Sequence, residues 1–169
     1  MFRLENVSQT DTAAFRSVVL NYWRELMPYS DVMNDSVRQE AYFAQQYTWA
    51  GGNGHPRWAL LDGRRIGIVN FSIYPDEKRA EIEDFYIIPE ERRQGNGSEI
   101  MRAVFRHFDS LGIEQVDLTV RRDNPNALAF WESQGFMLAK YHLRQYRDPN
   151  TGTAFRGALS SDFENPPSA

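Results

Sequence analysis

From Arg57 to Ile88 the chain alternates in strand-like runs, while helical spacing of apolar residues dominates before and after that stretch. Leu4 to Val7 reads as a short first strand. Thr10 or Asp11 can cap a helix in which Ala14, Phe15, Val18, Val19, Tyr22 and Trp23 recur at helical intervals, and Pro28 closes it. A second helix is predicted from Ser36, with Gln39 as its capping-box partner, to about Tyr47. Gly51 to Gly54 is a loop. Arg57 to Leu61 and Arg64 to Ile73 form two strands joined at Asp62-Gly63, a pair suited to a two-residue hairpin turn. Pro75 to Lys78 turns the chain into a third run, Ala80 to Ile88.

Beyond that the period returns to helical. Gly95 to about Ser110 places Ile100, Val104, Phe105 and Phe108 on one face, and Gly112 ends the helix. Gln115 to Val120 is a strand, and Asn124 to Gln134 a helix stopped by Gly135. Phe136 to Arg147 and Thr153 to Ser160 read as two strands around a turn at residues 148–152. The sum is a mixed α/β sheet with helices on its faces, in which the strand–helix–strand unit over 80–120 makes a right-handed parallel crossover. One domain over residues 1–160 and a frayed tail over 161–169 fit 169 residues.

Composition narrows the functional class. No apolar run reaches membrane-spanning length, and the N-terminus lacks the apolar stretch of a secretory signal. The absence of cysteine removes disulfide and thiolate chemistry and suits the cytoplasm. A net charge of −4 argues against nucleic acid as the main partner. His55, His107 and His142 show no metal-ligand spacing, so no metal site is expected.

Against this acidic background, residues 87–99 stand out: an apolar strand end, a basic turn punctuated by glycine, and a helix start. The first amides of a helix have no partner within it, and with the helix dipole they attract anions. Gly95 and Gly97 would let a phosphate approach those amides, and Arg92 and Arg93 add charge. The turn lacks the three-glycine dinucleotide fingerprint and the Gly-Lys-Ser/Thr ending of a P-loop.

Arg92, Gly95 and Gly97, followed by Asn124, Ala127, Trp131 and Gly135-Phe136, resemble the two signature segments of the GNAT superfamily of acetyl-CoA-dependent N-acetyltransferases. The resemblance covers Glu81 to Phe136, about a third of the chain. It implies a mixed, mostly antiparallel sheet of about six to seven strands with a splayed parallel pair, flanked by about four helices. It further implies that the pantetheine arm of acetyl-CoA runs along Phe85, Tyr86 and Ile87. The pyrophosphate would rest on Arg93, Gln94, Gly95, Asn96, Gly97 and Ser98, near Asn124, Ala127 and Trp131.

The implied chemistry is transfer of acetyl to a primary amine by direct attack in a ternary complex. A lysine-like amine is only about 0.1% free base at neutral pH, which costs about 4 kcal/mol, so a base is useful. Glu83 is favoured and Glu81 stays close behind; in a regular strand these two share a face and Asp84 takes the other, but the resemblance implies a bulge here that leaves parity past Asp84 open. Glu83-Asp84-Phe85 with Gly97-Ser98-Glu99-Ile100 is similar to polyamine acetyltransferases, whereas Glu81 matches the base of histone-type members. A backbone N–H around Phe85 to Ile87 would serve the oxyanion. Trp131 departs from the family's usual Tyr and cannot act as an acid near neutral pH, leaving Tyr141, Tyr86 or water.

The acceptor region implied by the fold holds Tyr22, Trp23, Tyr29, Asp31, Asp35, Tyr42, Phe43, Tyr47 and Trp49, aromatics and carboxylates that suit an organic cation. The final hairpin is similar to that of protein N-terminal acetyltransferases. Small amines, aminoglycosides, polyamines and protein amino groups therefore all stay open as acceptors, as does a homodimer. The alternative is a catalytically weakened acyl-CoA-binding domain of the same family with a sensing or regulatory role. No nucleic acid or membrane partner is expected.

Overall fold

The computed structural model describes residues 1–26, 35–46 and 54–141. Its described strands are β1 (Phe2–Asn6), β2 (Arg57–Leu61), β3 (Arg64–Tyr74), β4 (Arg79–Ile87) and β5 (Gln115–Leu118). They form one sheet in sequential order, antiparallel except for the parallel pairing of β4 with β5. The helices are α1 (Thr12–Leu26), α2 (Ser36–Gln46), α3 (Asn96–Ser110) and α4 (Pro125–Ser133). Among the described residues the sheet has five strands, against the expected six to seven. Phe136 to Tyr141, expected to begin a sixth strand, shows no strand pairing among the described residues, and the rest of the expected last hairpin lies outside them.

Local chemistry explains the boundaries. Asp62 (φ 50°) and Gly63 (φ 82°) make the left-handed hairpin turn between β2 and β3. α2 starts at Ser36 as expected and is capped by Asp35, whose Oδ1 accepts from the Val37 amide at 2.9 Å. Asn124 does the same for α4, accepting from the Ala127 amide at 3.0 Å.

Two apolar layers sandwich the sheet. On one face Ile100, Met101, Val104 and Phe108 of α3 pack with Val69, Phe71, Ala80, Ile82 and Trp131. On the other, Phe15, Val19 and Trp23 of α1 and Phe43 of α2 cover Trp58, Leu60, Ile68 and Tyr86. Trp23 and Phe43 are therefore core, 1% and 4% exposed. Tyr29, Asp31, Tyr47 and Trp49 fall outside the described residues.

Candidate active site

Two features of β4 build the site. The first is a bulge. Ser72 pairs with Glu81, Phe71 with Ile82, and Asn70 with Asp84, so Glu83 is an extra residue on β4. The extra residue reverses the parity of the strand: Ala80 and Ile82 point at α3 before it, and Phe85 and Ile87 after it. Asp84 is thereby turned onto the same face as Glu81 and Glu83, contrary to the regular alternation expected. Asn70 and Ser72, two residues apart on β3, meet these carboxylates directly. Ser72 Oγ donates to Glu83 Oε1 at 3.0 Å, and Asn70 Nδ2 donates to Asp84 Oδ2 at 3.3 Å.

The three carboxylates differ in environment. Glu81 lies 3.3 Å from Arg79, which also reaches Glu77 and Asp117. Glu83 has no ion pair among the described residues, and its carboxyl is pushed above the usual range. Burial is the main cause, opposed by the Ser72 hydrogen bond and reinforced by the charges of Glu81 and Asp84. Asp84 is only 4% exposed.

The second feature is the splay. Pairing of β4 with β5 ends at Ile82 opposite Leu118, while β4 continues to Ile87. Ile88 N–H donates to Ile66 C=O at 3.0 Å, and antiparallel exchange recurs every second residue. With Tyr86 opposite Ile68, the amides of Phe85 and Ile87 turn away from β3 into the space β5 has left. Tyr86 uses its own backbone within the sheet.

The loop after β4 opens at the same end. Arg93 (φ 60°) and Gly95 (φ 80°) adopt left-handed conformations, which aims successive amides inward. Ser98 and Glu99 N–H already donate to Gly95 C=O at 3.1 and 3.2 Å. The amides of residues 93–97 donate to no backbone carbonyl among the described residues. Five consecutive free donors at the start of a 15-residue helix fit a diphosphate.

Several side chains depart from their expected tasks. Arg92 does not face the amide loop: Nε donates to Ile87 C=O at 2.7 Å and Nη2 to Glu25 at 2.8 Å, with the guanidinium over Tyr86. A basic residue beside a glycine turn suggests phosphate, but an unpaired strand-end carbonyl and a carboxylate on α1 lie nearer. Gly97 has a steric reason to be small. A Cβ there would come 2.9 Å from Phe130, so the glycine makes room for a ring of α4. Asn96 is buried and ties Nδ2 to Glu91 C=O at 2.9 Å, while Gln94 reaches Glu90 C=O at 2.8 Å. Ser98 Oγ accepts from Gln134 at 3.1 Å.

Trp131 is a packing residue, 7% exposed, with edge contacts to Phe85, Phe130 and Phe136. Tyr86 donates its hydroxyl to Glu25 at 2.6 Å, and burial with that bond pushes its pKa up to about 12. Tyr141 is 81% exposed. His55 and His107, far apart in sequence, both pack on Phe71 together with Arg57. No metal-binding group of His, Cys, Asp or Glu occurs among the described residues. Sequence reasoning missed Asn70 and Ser72, because a polar pair inside a buried strand becomes meaningful only once its neighbour across the sheet is known.

The family model described as Acetyltransferase (GNAT) family matches residues 19–136. The chain belongs to this family. It is 27% identical over 165 residues to the catalytic subunit of the N-terminal acetyltransferase B complex of Arabidopsis thaliana, covering 97% of this chain and 89% of that protein. It is 31% identical over 81 residues to an uncharacterized N-acetyltransferase of Archaeoglobus fulgidus, covering 45% of this chain and 55% of that one, so the match spans about half of that relative. Among solved structures, the GNAT fold is shared with the putative acetyltransferase YycN of Bacillus subtilis, with a TM-score of 0.72 at 15% identity over 86% of this chain and 98% of that one. It is also shared with the PaiA N-acetyltransferase of Thermoplasma acidophilum in complex with coenzyme A, at TM-score 0.64 and 17% identity over 84% and 93% of the two chains. GNAT enzymes are acyltransferases that use acetyl-CoA. Among the described residues, no helix of this GNAT chain is long and apolar enough to cross a membrane.

Proposed function

We propose that this chain is an N-acetyltransferase that moves an acetyl group from acetyl-CoA to a primary amine by direct attack in a ternary complex. The observation that carries this reading is the coincidence of the two openings: β4 parts from β5 after Ile82, beside five unpaired amides at the start of α3. The gap supports a sheet-like path for pantetheine along Phe85 and Ile87, and the amides of residues 93–97 suit the diphosphate. Asn124, fixed by the Ala127 amide at the start of α4, is assigned with Ala127 to the cofactor in this reading. We read residues 1–160 as the catalytic domain, acting in the cytoplasm.

Glu83 is the base in this reading. Its raised pKa makes it a stronger proton acceptor than an ordinary carboxylate, and among the described residues it makes no ion pair, the charge of Arg79 acting on it only as the weakest of the causes. Glu81, bound to Arg79, is the weaker candidate. The ammonium gives a proton to Glu83, the freed amine attacks the thioester carbon, and an N–H of β4 receives the oxyanion. The C–N bond forms, the C–S bond breaks, and the second nitrogen proton balances the thiolate. A thiol of pKa about 8.5 leaves without a strong acid. That suits a site where Trp131 packs, Tyr86 is bound to Glu25 and Tyr141 faces solvent.

The second reading, a weakened acyl-CoA-binding domain, draws on the same lack of a Tyr acid at Trp131. Calorimetry with acetyl-CoA tests the amide cradle, and thiol release over a panel of amines separates turnover from binding alone. Absence of measurable acetyl-CoA binding would defeat both readings. Binding without thiol release from any amine would leave the second.

A further inference from the structure

Phe71 is fully buried, and three basic side chains from three parts of the chain gather on its ring. His55, just ahead of β2, stacks at 5.9 Å, and its N–H donates to Phe71 C=O at 2.7 Å. Arg57, the first residue of β2, sets its Cζ 5.3 Å from the ring centroid, and His107, in the last turn of α3, lies 5.7 Å from it. No carboxylate pairs with any of the three among the described residues. The partly buried arginines among those residues are Arg16, Arg57, Arg79, Arg92 and Arg121. Arg16 meets Glu40, Arg79 meets Glu77, Arg92 meets Glu25 and Arg121 meets Asp123, whereas Arg57 uses a single donor, on Pro56 C=O at 3.1 Å. A guanidinium drawn out of water normally has its charge matched. In a chain of net charge −4, a wholly basic cluster with unused donors complements something negative.

We infer that His55, Arg57 and His107 form a second anion site, which takes a doubly charged tetrahedral oxyanion, either a free sulfate- or phosphate-type ion or a phosphate monoester. The site is separate from acetyl transfer. From residue 96 to residue 107 α3 rises about 16 Å at 1.5 Å per residue, so the amide cradle lies at its other end. A guanidinium holds two oxygens of such an ion in its planar fork, and each imidazole offers a ring N–H. A tetrahedral ion turns oxygens both to the sheet and to α3, whereas a single carboxylate would satisfy the fork alone. A metal ion is unsuited, since Arg57 already sets a positive charge there. Burial first, and then the charge of Arg57, holds both imidazoles below the ordinary histidine value, and His107 adds to the effect on His55. No other charge acts on the two rings among the described residues. The cluster by itself therefore carries little beyond the charge of Arg57 near neutral pH, and a dianion draws a proton to each ring.

Proton NMR of the histidine rings follows both titrations in the full chain, in sodium sulfate and in sodium chloride of equal ionic strength, between about pH 5 and 8. Sulfate stays dianionic over that range, so only the protein titrates. His55 and His107 are expected to titrate at higher pH in sulfate. Calorimetry should show sulfate affinity growing, as pH falls, by up to about tenfold per pH unit for each proton taken up. Arg57→Gln should weaken sulfate at least tenfold and leave acetyl-CoA affinity unchanged; His107→Gln, on α3, carries the same test if the first variant fails to fold. Methyl phosphate that displaces sulfate supports a site for monoesters, and sulfate binding that it leaves intact supports one for the free ion. Identical histidine titrations in the two salts, or a sulfate shift that survives Arg57→Gln, would overturn the proposal. Loss of acetyl-CoA binding in Arg57→Gln with its Tm kept would overturn it too, by making the cluster part of the cofactor site.

Discussion

Ser72 Oγ reaches Glu83 Oε1 at 3.0 Å because β4 carries one residue more than β3 between Asp84 and Ile82. Were β4 regular through Glu83, Asp84 would share the face of Ala80 and Ile82 and turn its charge toward the apolar layer of α3. The bulge thus gathers three carboxylates on the face of α1 and α2 and leaves the opposite face apolar.

Glu83→Gln is expected to lower turnover by about 10²–10⁴-fold, chiefly on the alkaline-rising limb, with acetyl-CoA affinity kept. The sign of the stability effect is opposite. A carboxyl whose folded pKa is raised favours the fold while protonated, and that contribution is lost as pH rises through the raised value. At neutral pH the ionised group weighs against folding, so the Gln variant should melt slightly higher. Thermal melts and pH–rate profiles check both; an unchanged profile would move the role to Glu81 or to water.

Gly97→Ala should destabilise by about 1–3 kcal/mol, because its Cβ would meet the Phe130 ring at 2.9 Å. That ring is itself stacked on Phe85 at 5.4 Å, which limits its retreat. Adding Phe130→Leu should recover most of the loss in urea denaturation. Failure of the double variant to recover would return Gly97 to a role at the anion.

Gly95→Ala tests the amide cradle in isolation. No atom lies within 4 Å of the added methyl, so the cost comes from φ 80° alone, about 1–2 kcal/mol. Relaxation of that turn would swing the amides of residues 93–97 out of line, and acetyl-CoA affinity should fall more than stability does. Equal affinity in calorimetry would show that the amides do not hold the diphosphate.

Glu25→Gln should bring the Tyr86 hydroxyl down from about 12 toward the ordinary value, since the carboxylate is among the causes that raise it. In the wild type, one of the eight tyrosines should titrate late in an alkaline absorbance scan. Because the folded pKa is raised, the contribution of Tyr86 to stability is whole below about pH 10 and is lost as pH climbs toward about 12. An alkaline scan in which Glu25→Gln matches the wild type would break the link between α1 and β4.

Much of this architecture was legible in the chain because it rests on short-range rules. Asp62-Gly63 demands a left-handed hairpin, the 3.6-residue spacing of α1 and α3 selects their buried faces, and Asn124 caps the helix that follows it. The glycine turn before α3 is equally local, as an amide left without a carbonyl can be counted from the sequence of elements. The facing of Asp84, the capture of Arg92 by Ile87 and Glu25, the purpose of Gly97 and the meeting of Asn70 with Asp84 were decided only by the folded structure. Each depends on a neighbour at least five residues away that lies on another element. A single inserted residue in one strand reverses every side chain beyond it, and that register is set by two strands together.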